Sequence, residues 1–342
     1  MSDTNPLPGK PVQWGLLSTA RINRHIIAAA NDSDQFDVVA VGSRTQESAD
    51  RYAQEKGIAS AHGSYDALLA DPAVEAVYIS LPNGMHTDWT IRALEAGKHV
   101  LCEKPFSRHP LDVERAFDLS ERAGLVLSEG FMWRHNPQAD AIVNLVRDGV
   151  VGPLRMIRAS FSFQLAAVHG PDDARFDPLL DGGSLMDVGC YCLSGMRLIA
   201  GEPVHVTATQ YVGPTGVDLA FSGTAEFEGG VLGHFDCGFV LPLRHEIEVV
   251  GEDGSLFVAD PWHIKEPGIE IRRMTPSREP ISEMLHMPAV DSYRLQMENV
   301  SGAIRGTADL RLGRADARGQ ARAIAALYES AERGMTIEVG AR

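Results

Sequence analysis

A run of apolar residues, Val100-Leu101-Cys102, leads straight into Glu103-Lys104-Pro105. Proline cannot donate to a sheet ladder and stops a strand. The sequence therefore presents Lys104 just beyond a strand's carboxyl end, where open α/β sheets hold their ligands. An unperturbed lysine ammonium titrates near ~10.4, so a positive charge is expected at that point. Farther along, Asp181-Gly182-Gly183-Ser184-Leu185-Met186-Asp187-Val188-Gly189-Cys190-Tyr191 sets a carboxylate and a phenol one helical turn apart on one face. Asp187 and Tyr191 stacked in this way could bind a polyol and move its proton. They could equally form a buried helix whose phenol is satisfied by its own acid. Gly182 and Gly183 allow a close backbone approach.

A third constellation is Gly15-Leu16-Leu17-Ser18-Thr19-Ala20-Arg21-Ile22. It has the shape of a dinucleotide fingerprint in which only the first glycine is clear and the small residues Ser18 and Ala20 fill later positions. In such a loop glycine makes the tight turn, and the following helix offers free N–H groups and its positive dipole end to a pyrophosphate. Gly15, Leu17, Ser18, Thr19, Ala20, Arg21 and Ile22 are accordingly the expected cofactor loop. The end of the second strand reads Gly42-Ser43-Arg44-Thr45 and carries no acid for the ribose hydroxyls of NAD. Arg44 offers a guanidinium fork and Ser43 a hydroxyl, both suited to a 2′-phosphate. NADP is the expected cofactor, with NAD as the alternative. Leu81-Pro82-Asn83, closing a later strand, joins the cofactor-facing set.

The elements that must position these groups alternate at first. Strands are expected over 12–17, 36–43, 74–81, 99–104 and 125–129, with helices over 22–30, 46–56, 87–96 (Gly97 as C-cap) and 111–123. Continuous apolar strands separated by helices imply a parallel sheet covered on both faces. After about residue 130 the pattern changes. A helix over 137–147 precedes strands over 154–165, 204–211, 217–227, 231–239, 246–251 and 255–259, with hairpin turns at Gly229-Gly230 and Asp253-Gly254. A helix over 315–333 and a short strand near 335–339 close the chain. The fold class is α/β: a doubly wound Rossmann domain over 10–130, then an α/β domain with an open, largely antiparallel sheet over 131–342.

The 342 residues carry a formal net charge of -15. That field repels nucleic acid and anionic membrane surfaces, so neither is expected as a partner. No apolar stretch is long enough to span a bilayer. Cys102, Cys190, Cys192 and Cys237 form no C-x-x-C pair; a reduced, cytoplasmic protein without a metal site is expected.

The glycine loop, Glu103-Lys104-Pro105 and the Gly182-Gly183…Asp187-x-Gly189 segment occur in that order, and together they resemble the Gfo/Idh/MocA oxidoreductases. The resemblance runs from about Val12 to about Val339. It implies a nicotinamide cofactor and a homodimer or homotetramer built on the C-terminal sheet. Many members carry histidine where this chain has Tyr191. The tyrosine form, with Phe131-Met132-Trp133-Arg134-His135-Asn136-Pro137, is similar to the branch containing NADP-dependent D-xylose dehydrogenase and dimeric dihydrodiol dehydrogenase. The resemblance implies that Trp133 and Arg134 line the cofactor and substrate pocket and that His86 lies near the ribose or substrate. Arg175 and Asp177 are polyol-binding candidates or rim charges, His169 and Tyr293 weaker pocket candidates. Glu103 positions Lys104 or touches the carboxamide of the nicotinamide.

A free phenol titrates near ~10 and is a poor base at neutral pH, but a nearby ammonium favours the phenolate. Lys104 is thus expected to activate Tyr191, which takes a proton from a substrate hydroxyl as the carbon gives up hydride, while Asp187 orients the sugar. The implied activity is NADP-dependent oxidation of an aldose such as D-xylose at C1. The alternatives are a trans-dihydrodiol dehydrogenase, a keto-sugar reductase, or a non-catalytic NADP-binding sensor on the same fold.

Overall fold

The computed structural model of the chain describes residues 9–265, 267–275, 277 and 279–340. In the first part β1 (Val12–Leu17), α1 (Asn23–Asn31), β2 (Phe36–Gly42), α2 (Gln46–Lys56), β3 (Ser60–His62), α3 (Tyr65–Leu69), β4 (Ala76–Ile79), α4 (His86–Glu95), β5 (His99–Glu103), α5 (Pro110–Ala123) and β6 (Leu127–Gly130) follow one another. The six strands pair in the order β3-β2-β1-β4-β5-β6, and every pairing is parallel. The order reverses between β1 and β4, which makes the crevice beyond their carboxyl ends the switch point where such sheets bind ligands. Local chemistry sets the boundaries. Thr45 accepts the Ser48 N–H at the start of α2 and Gly57 (φ +70°) ends it in the left-handed region. Gly97, expected as the cap of α4, lies one residue past the cap Ala96 and makes the left-handed turn there. β3 and α3 carry too few residues to show a period and were not anticipated.

The second part contains α6 (Pro137–Arg147), β7 (Leu154–Gln164), α7 (Leu165–His169), a π-helical turn (Leu185–Gly189), α8 (Cys190–Ala200), β8 (Pro203–Val212), β9 (Asp218–Phe227), β10 (Leu232–Gly238), β11 (Val240–Gly251), β12 (Gly254–Val258), β13 (Gly268–Met274) and β14 (Pro280–His286). α9 (Ser292–Arg305), α10 (Arg314–Arg333) and β15 (Ile337–Glu338) complete the chain. The nine strands run in the order β14-β13-β12-β11-β7-β10-β9-β8-β15. Their pairings are antiparallel except β10 with β7. β13 and β14 were not expected. Every residue of β14 is exposed, so it lacks the alternation that marks a half-buried strand.

Two compact units result: residues up to His135 together with Asp291–Arg318, and Asn136–Val290 together with the residues from Gly319 onward. This corrects the division at residue 130, because the chain returns to the first unit. α9 buries Met297, Val300 and Ile304 in one core with Trp14, Phe36 and Leu101, and the Trp14 indole N–H donates to Ser301 Oγ at 3.1 Å. The sequence shows no clear helix there because Asn299, Ser301 and Gly302 are poor helix formers; burial against the first sheet supplies what propensity lacks. Among the described residues no helix is long and apolar enough to cross a membrane.

Candidate active site

In the first unit the predicted cofactor loop lies at the switch point. Gly15 owes its lack of a side chain to its own neighbours: a Cβ there would lie 3.0 Å from Leu68 Cδ2 and 3.1 Å from Val74 Cγ1. Leu17 is wholly buried, so its side chain packs in the core and only its backbone could face the loop's ligand. Ser18, at φ +151°, is held by a polar chain that the sequence did not reveal. Its hydroxyl is 2.7 Å from Ser80 Oγ and accepts the Ala20 N–H at 3.0 Å. The Ser80 hydroxyl donates to Asn23 Oδ1 at 2.6 Å, and the Asn23 amide donates to the Ser18 carbonyl at 2.8 Å. Ser18, Ser80 and Asn23 thus pin the ends of β1 and β4 together; nothing local in the sequence singles out Asn23, since Arg24 and His25 follow it in the same helix.

Thr19, Ala20 and Arg21 lead into α1, whose start has no side-chain cap and no acid in its first turn. The Asn23, Arg24 and His25 N–H groups donate to the carbonyls of Ala20, Arg21 and Ile22, so what this opening offers a pyrophosphate is chiefly the positive end of the helix dipole with no acid against it. Ile22 packs against the core. At the end of β2, Ser43 is buried and its N–H donates to the His62 carbonyl at 2.9 Å, whereas Arg44 is exposed. Burial raises the Tyr65 phenol above its ordinary range, and the charge of Arg44 opposes that rise. A cation and no carboxylate beside the ribose position fits NADP.

Lys104 stands on a loop clamped on both sides. The Tyr78 hydroxyl donates to Glu103, whose other oxygen accepts the Lys104 N–H at 3.3 Å. The Lys104–Pro105 peptide is cis, and the Phe106 N–H donates to the buried Glu129 at 2.8 Å. His86 completes the clamp. Wholly buried, it sets Nδ1 2.9 Å from the Pro105 carbonyl and Nε2 2.8 Å from that of Leu81. Burial lowers its imidazole below the usual range, Lys104 adds to this, and the two carbonyls oppose it. Both ring nitrogens lie against backbone carbonyls, so His86 ties the β4 and β5 loops together. Leu81 is buried, and Pro82 and Asn83 form the turn in which the Met85 N–H donates to the Pro82 carbonyl at 2.9 Å.

Trp133 is 2% exposed, with the Arg134 guanidinium 5.7 Å from its ring centroid and paired to Asp316 at 3.2 Å. Tyr293, expected on the sugar side, belongs to α9 of the first unit and stacks on His25 at 4.6 Å.

In the second unit the glycine pair closes against protein. A Cβ on Gly182 would lie 2.4 Å from the Arg175 carbonyl oxygen, and one on Gly183 2.2 Å from Asp218 Oδ1. The Gly183 and Gly182 N–H groups donate to the Arg175 and Asp177 carbonyls, each at 3.0 Å. The close approach is therefore made by the chain's own loop. Gly182→Ala should cost about 1–3 kcal/mol by overpacking. It should lower the melting temperature by ~2–4 °C for each of those kcal/mol, which calorimetry would read.

Arg175 straddles two carboxylates. Nε and Nη2 bond Asp173 at 2.8 and 3.0 Å, and Nη1 bonds Asp187 Oδ2 at 3.1 Å. Burial raises Asp173, yet the Arg175 bonds overcome this and hold its carboxyl below the usual range. Asp177 Oδ1 accepts the Leu179 N–H at 2.9 Å and caps the short turn that follows. His169 Nδ1 lies 3.9 Å from Asp173 and its ring 6.4 Å from Phe163.

Asp187 lies in the π-helical turn and Tyr191 in the first turn of α8, so the turn joining them is wider than the α-turn expected. Such bulges recur at functional sites. The Tyr191 ring is 6% exposed and packs on Phe161 at 5.4 Å and Trp262 at 6.0 Å. Asp218, absent from the sequence reading, accepts bonds from Ser184 Oγ and the Leu185 N–H, each at 2.7 Å, and from the Tyr328 hydroxyl at 2.9 Å.

The chain matches the model of an oxidoreductase family with an NAD-binding Rossmann fold over residues 13–131, and that of the GFO/IDH/MocA C-terminal domain over 140–257. It is also 37% identical to D-xylose 1-dehydrogenase (NADP(+)) 2 of Haloferax volcanii, over 96% of this chain and 100% of that one. The chain belongs to the GFO/IDH/MocA oxidoreductase family. Another family relative is trans-1,2-dihydrobenzene-1,2-diol dehydrogenase of Mus musculus, 32% identical over 73% of this chain and 75% of its own. Among solved structures, a 3-ketoreductase from Actinomadura kijaniata, in complex with NADP and TDP-benzene, superposes with a TM-score of 0.85 at 28% identity. That match covers 94% of this chain and 98% of the reductase. The protein is thus an oxidoreductase with an N-terminal Rossmann domain.

Proposed function

We propose that the protein is an NADP-dependent dehydrogenase that oxidises an aldose of the D-xylose type at C1. The observation that carries this is the pairing of a nearly buried phenol, Tyr191, with a carboxylate, Asp187, whose orientation Arg175 holds on the same helical segment. A fixed carboxylate suits sugar hydroxyls, and a phenol suits the proton that leaves one of them. The whole-length likeness to a D-xylose 1-dehydrogenase supports the substrate class.

The α1 start and Ser43-Arg44 hold the dinucleotide, which supplies the hydride acceptor at C4 of its nicotinamide. Asp187 accepts hydrogen bonds from the sugar. Tyr191 takes the hydroxyl proton from C1 and returns it to the carbonyl oxygen in the reverse direction. Lys104 favours the phenolate form of Tyr191 and stabilises negative charge on oxygen. The assembly is a homodimer or homotetramer formed through the second sheet. The exposed apolar side chains Leu232, Leu243, Met274, Ile281 and Met284 on its strands support this. A cytoplasmic location belongs to this reading; Cys102, Cys190, Cys192 and Cys237 are all buried and, among the described residues, form no disulfide.

The test is reduced-nicotinamide absorbance, with NADP or NAD against pentoses, hexoses, inositols and dihydrodiols, and with NADPH against keto-sugars. Pentose oxidation with NADP is expected to be fastest; turnover of dihydrodiols or keto-sugars alone overturns the substrate assignment. Arg44→Ala should raise KM for NADP by about 10- to 100-fold, the worth of a charge-assisted phosphate contact, and leave KM for NAD nearly unchanged. Equal effects on both cofactors remove Arg44 from the phosphate site.

A further inference from the structure

We propose that Asp218 is a positioning residue for the reaction, holding in place the helix start that carries Asp187 and Tyr191; this rests on the role proposed above for those two side chains. Asp218 opens β9, where the ladders to β8 and β10 fix the strand. It is 3% exposed. One oxygen, Oδ2, accepts both the Ser184 hydroxyl and the Leu185 N–H at 2.7 Å, and Oδ1 accepts the Tyr328 hydroxyl from α10 at 2.9 Å. A single carboxylate thereby ties a strand, a helix and the start of the π-helical turn.

Several features show that this contact is built into the segment. Ser184 precedes the turn but its side chain does not cap it; Asp218 supplies the acceptor in its place, and a carboxylate at a helix start is favoured by the dipole. Gly183 adopts φ +122°, and a Cβ there would fall 2.2 Å from Asp218 Oδ1, so the glycine leaves the room the carboxylate occupies. The contact also reaches the functional groups by short steps. The Asp187 N–H donates to the Gly183 carbonyl at 3.1 Å, and the Gly183 N–H donates to the carbonyl of Arg175 at 3.0 Å. Arg175 in turn holds Asp187 through its guanidinium. Moving Ser184 and Leu185 therefore moves both ends of the Arg175–Asp187 pair and, through the continuous helix, Tyr191.

Asp218→Ala leaves three donors without their acceptor. Misplacing reacting groups by an ångström can cost about 100-fold, and a loss of that order in kcat per folded molecule is expected, with little change in KM for NADP. Asp218→Asn should recover kcat to within about threefold of wild type, a small loss in transition-state stabilisation. Its carbonyl keeps the Ser184 and Leu185 contacts, and its amide N–H donates to the Tyr328 oxygen. A merely structural role would lower the melting temperature of the alanine variant and leave its kcat per folded molecule unchanged; that result overturns the proposal. Position is read separately by fluorine NMR of 3-fluorotyrosine-labelled protein, with the Tyr191 resonance identified by its loss in Tyr191→Phe. It should shift or broaden in Asp218→Ala and return in Asp218→Asn, and an unmoved resonance also overturns the proposal. Full activity in Tyr191→Phe would remove the chemical role of Tyr191, yet the resonance would still decide whether Asp218 positions the helix. Should Asp218→Ala fail to fold, Ser184→Ala and Tyr328→Phe each remove one donor and are read in the same two ways.

Discussion

Lys104→Met is expected to lower kcat by about 100- to 1,000-fold, the worth of a preorganised group that stabilises developing charge, with NADPH binding left nearly intact. The reason lies in the loop. Its backbone is held by Tyr78 through Glu103, by His86 through the Pro105 carbonyl and by Glu129 through the Phe106 N–H. These three contacts run through the Lys104–Phe106 backbone and the side chains of neighbours, so methionine keeps them and the side-chain length while removing the ammonium. Single-turnover hydride transfer and fluorescence titration of NADPH separate the two effects. A kcat near that of the wild type would take Lys104 out of the chemistry, and a large loss of NADPH affinity would make it a binding residue.

Tyr191→Phe is expected to remove a factor of about 100 to 10,000 from kcat, the range for a positioned acid or base. Phenylalanine keeps the ring that packs on Phe161 and Trp262, so the melting temperature should move little. If Tyr191 is the base in sugar oxidation, kcat rises with pH as the phenol ionises. An ammonium that favours the phenolate moves this rise to lower pH. The residual activity of Lys104→Met should therefore rise at higher pH than that of the wild type. An unshifted profile would separate the two residues, leaving Lys104 as an electrostatic group that acts on substrate and not on the phenol. Wild-type turnover in Tyr191→Phe would end the assignment of Tyr191 as the proton carrier.

Much of the first sheet is legible in the chain because its signals are local. Thr45 and Gly57 bracket α2, Asn136 and Pro137 open α6, and continuous apolar runs mark β1, β2, β4 and β5. The doubly wound order, with β1 and β4 at the switch point, follows from the alternation of strand and helix. α9 was hidden because its stability comes from Met297 and Val300 packing in a core whose other members lie far earlier in the chain. The edge strand β14 was hidden because it buries nothing.

The candidate site divides in the same way. Residue types and spacing are sufficient to place a cation after β5, a cation without a carboxylate after β2, and an acid and a phenol on one helical segment, since each is a statement about neighbours in sequence. What those neighbours touch is a matter of distant residues. Gly182 and Gly183 signal a close approach, but only the fold shows that Arg175 and Asp218 make it. His86 and Ser18 carry no sequence signal for their intramolecular partners, the carbonyls of Leu81 and Pro105 and the hydroxyl of Ser80, which only the fold brings to them. The sequence by itself thus determined the chemistry available and the order in which the strands deliver it. The tertiary structure decided which polar groups serve to hold others in place, because a buried polar group must find its partner wherever in the chain that partner lies.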